Sequence, residues 1–305
     1  MRIAITGGTG YTGTALRRAL QEHGHEAFAV RRGPSTDPGA MWDAVGWVRP
    51  GLLEGVDAVV HLSGTSIAAR RWTAERRREL RASRIDSTRL LVDHIRTLAR
   101  PPKVLVSASA TGYYGDAGDR VLAEDAPRGE GFLADLVADW ETEASRAAAS
   151  GMRVVTARMG PLVARDSELL ERLLLPFRLG LGGRLGNGRQ WFSWVGTEDV
   201  VGAIEFMLAH DDLAGPVNVV APQPATNLEF TRALGRALHR PTVFPVPAIA
   251  LRTIFGRDLA DEMFLVSQRA VPRVLLEAGF RFRHATIEEV LDAEFAGRAP
   301  TAEGR

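Results

Sequence analysis

The first half of the chain alternates short apolar runs with stretches whose apolar positions recur every three or four residues. The runs at 2–6, 26–31, 58–63, 104–109 and 153–158 are dense in Val, Ile, Leu and Ala. Near-continuous apolarity of this kind marks strands buried on both faces, as in a parallel sheet. Between them, residues 10–22, 73–99 and 132–150 have helical spacing, with Leu80, Ile85, Leu90, Leu91 and Ile95 along one side of the second. The order β-α-β-β-α-β-α-β predicts an α/β fold, a doubly wound parallel sheet with helices on both faces.

Past Gly160 the pattern loosens into glycine- and arginine-rich loops, GLGGRLGNGRQ at 180–190 among them. Regularity returns with a helical run from Thr197 and an apolar strand at 217–220. Thr226 with Glu229, and Thr286 with Glu289, have the spacing of capping boxes that open helices. Helical patterns at 248–255, 259–268 and 271–278 suggest a main domain over 1–245 and a small, mostly helical C-terminal lobe over 246–297. Residues 298–305 read as a disordered tail.

Composition narrows the function. The 305 residues carry 38 basic and 37 acidic side chains, a net charge of +1, and no cysteine. Balanced charge argues against nucleic-acid and membrane partners, which call for a basic excess. Zero cysteine excludes disulfides and thiol nucleophiles, and the seven histidines lack metal-ligand spacing, so no metal is expected. Lys103 is the only lysine, and Tyr11, Tyr113 and Tyr114 are the only tyrosines. Any mechanism that needs a lysine elsewhere is excluded. The chain reaches Gly7 too soon for the ~7–15-residue apolar core of a signal peptide. Its most apolar stretch, 169–181, is broken by Glu171, Arg172, Pro176 and Arg178, short of the ~18 residues of a membrane span. A cytoplasmic location is expected.

TGGTGYTG at 6–13 places Gly7, Gly10 and Gly13 directly after a strand and at the start of a helix. In this context Gly7 permits a tight turn, Gly10 lets a pyrophosphate approach the backbone, and Gly13 lets the helix pack closely. The helix N-terminus offers free N–H groups to the phosphates, so Gly7, Thr9, Gly10, Tyr11, Thr12 and Gly13 are candidate dinucleotide contacts. The second strand ends in Arg31-Arg32, where an acidic residue would read a free ribose 2′-hydroxyl. Two guanidiniums suit a 2′-phosphate, so the cofactor is read as NADP(H); the bland alternative is a pair of solvated surface arginines. At the end of the run at 58–63, Leu62, Ser63 and Gly64 let backbone lie against the cofactor, although a plain turn would explain Gly64 alone.

With VVHLSG at 59–64 and SASATGYYG at 107–115, the glycine loop resembles the extended and atypical short-chain dehydrogenase/reductases, the superfamily of nucleotide-sugar epimerases and dehydratases. The resemblance implies a Rossmann-type fold. It also implies a Ser or Thr after the strand at 104–109 and a Tyr-x-x-x-Lys pair on the next helix. Here that helix reads FLADLVADWE, with Leu133 at the tyrosine position and Val137 at the lysine position. Further marks are RRW at 70–72, Ser83-Arg84 preceded by Glu79, GYYG at 112–115, the glycine-rich segment 173–195, and the stretch from FGRDLADEM to EAGFRF. These resemble the branch called the epimerase family protein group, short-chain dehydrogenase family 39U. That likeness implies NADP(H) binding, with Arg31 and Arg32 on the 2′-phosphate and Leu62 and Ser63 lining the cofactor. Glu79 and Arg84 would approach from the long helix, and Pro161 and Leu162 would lie near the nicotinamide. Read without the resemblance, Glu79 and Arg84 equally fit an exposed helix charge face with Arg76, Arg77, Arg78 and Arg81.

The proton-donor candidates are Ser109, Tyr113 and Tyr114, with Arg84 as the cation that would lower a tyrosine pKa. The same tyrosines could simply pack the loop. Arg70, Arg71, Arg184 and Arg189, interleaved with Trp72, Trp191, Phe192 and Trp194, suit an anionic or planar small-molecule substrate between domain and lobe, unless the tryptophans are core. The expected function is an NADP(H)-dependent oxidoreductase. A non-catalytic NADP(H)-binding regulatory or scaffold protein is the alternative, and a nucleotide-sugar epimerase the weaker one.

Overall fold

The computed structural model describes residues 1–43 and 46–296. Its centre is a six-stranded sheet of β1 (Arg2–Thr6), β2 (Glu26–Val30), β3 (Ala58–His61), β4 (Val104–Ala110), β5 (Arg153–Met159) and β6 (Gly215–Val219). The spatial order is β6-β5-β4-β3-β1-β2, and every pairing is parallel. After β1 the chain crosses to β2 on one side, then returns to place β3 on the other. This reversal opens a crevice outside the carboxyl ends of β1 and β3, where α/β sheets bind ligands.

Helices cover both faces, because strands this apolar leave neither face fit for water. On one side α1 (Tyr11–Glu22) buries Leu16 and Leu20 beside Val200, Ile204 and Met207 from farther along the chain. Trp42 and Leu53 cover the other side together with the long helical rod that follows β3. The periodicity over 73–99 predicts one helix; the structure has α2 (Ala74–Arg81), a π turn over Ala82–Asp86, and α3 (Ser87–Ile95). Hydroxyls stabilise the wide turn: Ser87 Oγ donates to the Ser83 carbonyl (2.8 Å), and Thr88 Oγ1 to that of Arg84 (2.5 Å). The helix expected over 132–150 is α4 (Phe132–Ser145), followed by a tighter 3-10 segment that ends on Gly151 at φ +76°.

Next come α5 (Glu168–Arg178), α6 (Thr197–Ala209) and α7 (Asn227–Ala237), the last opened by the Thr226–Glu229 capping box. In the C-terminal region α8 (Ala248–Phe255) is as expected. The helix expected over 259–268 is instead a π turn, Ala260–Phe264, leading into Arg269–Ala270, which pairs in parallel with Val121–Leu122. Between the two, the Ser267 carbonyl accepts from the Ala117 amide (2.9 Å) and the Gln268 amide donates to the Trp191 carbonyl (3.1 Å), bonds to distant chain in place of helical ones. Pro272 starts α9 (Arg273–Glu277), and the Thr286–Glu289 box starts α10 (Ile287–Phe295). The tail at 298–305 lies outside the described residues.

Candidate functional site

The glycine loop turns at the mouth of the crevice. Gly7 has φ +68°, and a Cβ on it would lie 2.7 Å from the Leu62 carbonyl oxygen. A Cβ on Gly13 would lie 2.3 Å from the Gly7 oxygen, so any side chain there drives α1 off the loop. Gly10 is the open one: its Cβ would meet only the Gly7 oxygen, at 3.3 Å. No side chain caps α1, which leaves its first amides free for an anion. The loop, uncapped helix and open glycine fit a pyrophosphate. Thr9 is exposed, Thr12 is half-buried, and the Tyr11 hydroxyl lies 3.2 Å from Thr197 Oγ1 at the start of α6.

Leu62, Ser63 and Gly64 continue β3 along the same edge, and the Leu62 amide donates to Thr6. Pro161 and Leu162 follow β5; Leu162–Val163 pairs with Val195–Gly196, directly before Thr197. The fold thus gathers the glycine loop, 62–64 and 161–162 at the carboxyl edge of the sheet.

The two arginines after β2 differ. Arg31 is drawn into its own loop, its Nε donating to the Gly39 carbonyl (2.8 Å) and its Nη2 to both Asp37 carboxylate oxygens (2.8 and 2.9 Å). Arg32 is exposed and has no side-chain partner among the described residues. Asp37, six residues on in the following loop, folds back onto Arg31, so Arg32 is the one of the two left at liberty.

Glu79 and Arg84 also separate. Glu79 accepts from Arg76 Nη1 (2.7 Å) and Arg70 Nη2 (2.5 Å), and these two guanidiniums hold its carboxyl below the usual range. Arg76 in turn donates to the Ser66 carbonyl. Glu79 therefore ties down the loop beside the crevice. Arg84 is 8% exposed and lies against Gly64, whose added Cβ would be 3.0 Å from Arg84 Cζ. Nη2 donates to the Thr65 carbonyl (2.9 Å), Nε is unpartnered, and no carboxylate pairs with it among the described residues. Burial, then repulsion from Arg76, lowers its pKa to about 10. A buried guanidinium without a counter-ion, beside a nucleotide loop, is a cation held ready for a ligand. The exposed charge face expected for α2 breaks at Arg76 and Arg84, both of which turn inward.

The three proton-donor candidates stand in different surroundings. Ser109 is 2% exposed and donates to Glu141 Oε1 (2.5 Å), inside the protein rather than at its edge. Tyr114 is 1% exposed; its hydroxyl donates to Asn218 Oδ1 (2.7 Å) and accepts from Arg158 Nη1 (3.1 Å). Burial raises its pKa, and Arg158 offsets only part of that. Both are locked in a network centred on Arg158, 3% exposed, whose Nε and Nη2 each donate to Glu141 at 2.8 Å. Burial alone would lower the Arg158 pKa, but the Glu141 carboxylate outweighs it, and the pKa is raised. Tyr113 is half-buried, its hydroxyl has no partner among the described residues, and Arg158 Cζ lies 3.6 Å from its ring centre. The cation beside the tyrosines is thus Arg158, not Arg84. Arg158 has no role in the sequence reading, although a charged residue inside the apolar run VVTARM is the signal that marks it; Glu141 enters there only as the end of the FLADLVADWE helix.

Leu133 and Val137 occupy the ground of the missing acid-base pair: a Cβ on Gly112 would lie 3.4 Å from Leu133 Cβ and 3.8 Å from Val137 Cγ2. Beside them a cavity of about 190 Å³ is lined by Gly112, Gly115, Glu130, Leu133, Glu262 and Gln268 among others. Of the arginines expected to bind substrate, Arg70 is held by Glu79 and Arg71 by the Thr253 and Ile254 carbonyls. Trp72 and Trp194 are core. Trp191 donates to Asp119 (2.9 Å) beneath Arg269.

Fold and site together define a dinucleotide-binding α/β protein of Rossmann type. A family model described as the NAD dependent epimerase/dehydratase family matches residues 3–220, and the chain belongs to that family. A domain of unknown function matches residues 246–294. Among curated relatives, epimerase family protein Mb2239 of Mycobacterium bovis is 45% identical over 95% of this chain and 96% of its own length. Epimerase family protein SDR39U1 of Homo sapiens is 37% identical over 92% and 95%. The crystal structure of that human protein (isoform 2) with NADPH superimposes at TM-score 0.87, with 32% identity, covering 98% of this chain and 100% of the other. A nucleoside-diphosphate sugar epimerase from Corynebacterium glutamicum superimposes at 0.79, with 30% identity, over 96% of this chain and 57% of its own.

Proposed function

We propose that the protein is an NADP(H)-dependent oxidoreductase that acts on a small molecule. The observation that carries the reading is the switch-point crevice, which presents an open Gly10, an uncapped α1, and the unpaired cations Arg32 and Arg84. The human neighbour with NADPH supports the choice of cofactor. Bound there, the nicotinamide supplies or accepts a hydride. The chain's own residues do the rest. The first-turn amides of α1, Tyr11 to Gly13, would face the pyrophosphate, since that of Gly10 is already spent on the Gly7 carbonyl (3.0 Å), and Arg32 would pair with the 2′-phosphate, with Arg31 held back by Asp37. Leu62, Ser63, Pro161 and Leu162 shield the ring side, while Arg84 offers charge from beneath Gly64. Tyr113 Oη, which has no partner among the described residues, is the group that holds or gives up a proton, with Arg158 over its ring fixing its place. The cavity lined by Gly112 and Gly115, on either side of Tyr113 in the chain, is the space proposed for the substrate.

A second reading, NADP(H) binding without turnover, is favoured by one observation. Leu133 and Val137 fill with hydrocarbon the place where the superfamily keeps its acid-base pair. A screen of carbonyl compounds for NADPH oxidation separates the two. Turnover that falls on Tyr113→Phe supports the oxidoreductase, and saturable NADPH binding with no turnover across the panel supports the binder. Arg32→Ala is expected to cost NADPH about tenfold in affinity and NADH little; equal losses would overturn the 2′-phosphate assignment. We place the protein in the cytoplasm, a reading supported by the absence of cysteine and of any helix, among the described residues, long and apolar enough to cross a membrane.

A further inference from the structure

We propose that His61 is a positioning residue for the cofactor: its imidazole locks the end of β1 to the π turn and thereby sets where Arg84 lies. The inference rests on the cofactor reading above. His61 is the last residue of β3 and has no exposed surface. Its Nδ1 lies 2.6 Å from Oγ1 of Thr6, the residue before Gly7, and its Nε2 lies 2.9 Å from Thr88 Oγ1. It therefore spans from the root of the nucleotide loop to the helical rod that carries Arg84.

Counting protons gives this chain one direction. Thr88 Oγ1 stands 2.5 Å from the Arg84 carbonyl oxygen. A carbonyl has no proton, so the Thr88 hydroxyl must donate to it; two bare oxygens at that distance would repel. Both lone pairs of Thr88 Oγ1 then remain, and they receive Trp140 Nε1–H (3.0 Å) and His61 Nε2. Nε2 must carry a proton to make the second contact. Nδ1 is left bare and accepts the Thr6 hydroxyl proton. Every group is satisfied once, and only the neutral imidazole with Nε2–H fits. Complete buried networks of this kind specify one geometry, because any other arrangement strands a polar group away from water.

The far end of the chain is the Arg84 backbone. In the π turn its carbonyl accepts the Thr88 hydroxyl, while the Ser87 hydroxyl donates to the neighbouring Ser83 carbonyl. The side chain then runs under Gly64, with its guanidinium 5.4 Å from the centre of the Trp140 ring, the same indole that donates to Thr88. Without the imidazole, Thr6 and Thr88 lose their common partner, and the turn loses its reference to the sheet.

The test measures NADPH affinity by fluorescence titration of His61→Leu, Arg84→Ala, the double variant, and His61→Gln, which can donate and accept along the same line. Arg84→Ala and His61→Leu are each expected to weaken NADPH on the order of tenfold, and the double variant to be within about twofold of Arg84→Ala alone. His61→Gln should recover most of the loss. Losses that multiply in the double variant, while Arg84→Ala weakens binding as expected, overturn the inference about His61. Unchanged affinity in Arg84→Ala overturns the cofactor reading beneath it. Should His61→Leu fail to fold, Thr88→Val breaks the same chain with little change of shape and is expected to give the same coupling. Nitrogen NMR of the unliganded protein supplies a second readout: a protonated Nε2 and bare Nδ1 on His61 agree with the network, and the opposite tautomer refutes it.

Discussion

Removing the carboxylate of Glu141 should destabilise the protein more than most single changes away from the nucleotide loop. Its two oxygens accept Nε and Nη2 of Arg158 at 2.8 Å each, and Oε1 also accepts the Ser109 hydroxyl. Arg158 sits in the sheet at 3% exposure, paired across β4 and β5 with Ser109. In Glu141→Gln the charge of Arg158 remains buried with no anion beside it: one amide oxygen, the Tyr114 hydroxyl and the Glu124 carbonyl, the last two at 3.1 Å, and the Tyr113 ring are its neutral partners. Breaking a buried pair from one side costs about 3–5 kcal/mol. That is a large share of the ~5–15 kcal/mol that holds a typical domain folded. Urea unfolding followed by circular dichroism measures it, and the melting temperature should fall on the order of 10 °C. The double replacement Glu141→Leu with Arg158→Met removes both charges and should regain most of the loss, since hydrophobic residues of similar volume often replace such pairs at no net cost. A loss below about 1 kcal/mol in Glu141→Gln would show that Arg158 is solvated by something other than this carboxylate.

Three further outcomes are expected. Burial lowers the His61 pKa from 6.5 to about 4, so between those values the unfolded chain takes up a proton that the folded chain refuses. Stability should therefore fall as pH drops through that window, by about 3 kcal/mol at its lower end and no further below; identical pH slopes for wild type and His61→Leu in urea titrations would contradict this. Gly13→Ala places a Cβ 2.3 Å from the Gly7 oxygen and should abolish measurable NADPH binding; retained affinity would mean that the loop is free to move away. If the oxidoreductase reading holds, Ser109→Ala and Tyr114→Phe should alter melting temperature more than kcat, whereas Tyr113→Phe should do the reverse. A Ser109→Ala variant that loses turnover at unchanged stability would return Ser109 to the chemistry.

What the sequence determined by itself was whatever depends on neighbours along the chain. The parallel sheet followed from five apolar runs, the phosphate-facing loop from three glycines between a strand and a helix, and two helix starts from Thr and Glu three residues apart. The lone lysine, at the start of β4, already removed the usual acid-base pair. Tertiary structure decided which side chains meet, whether they lie near or far in sequence. Asp37 returns to claim Arg31, Glu79 binds Arg70 and Arg76 rather than standing as a free surface charge, and Ser109 and Tyr114 are drawn inward by Arg158 and Glu141. Arg84 has no such counter-ion among the described residues, and that follows only once the rod opens into a π turn beneath Gly64. The physical reason is common to all of these cases. Local patterns fix backbone conformation and the face that is buried, but whether a charged or hydroxyl group is free to act depends on which partner the fold brings within hydrogen-bond reach.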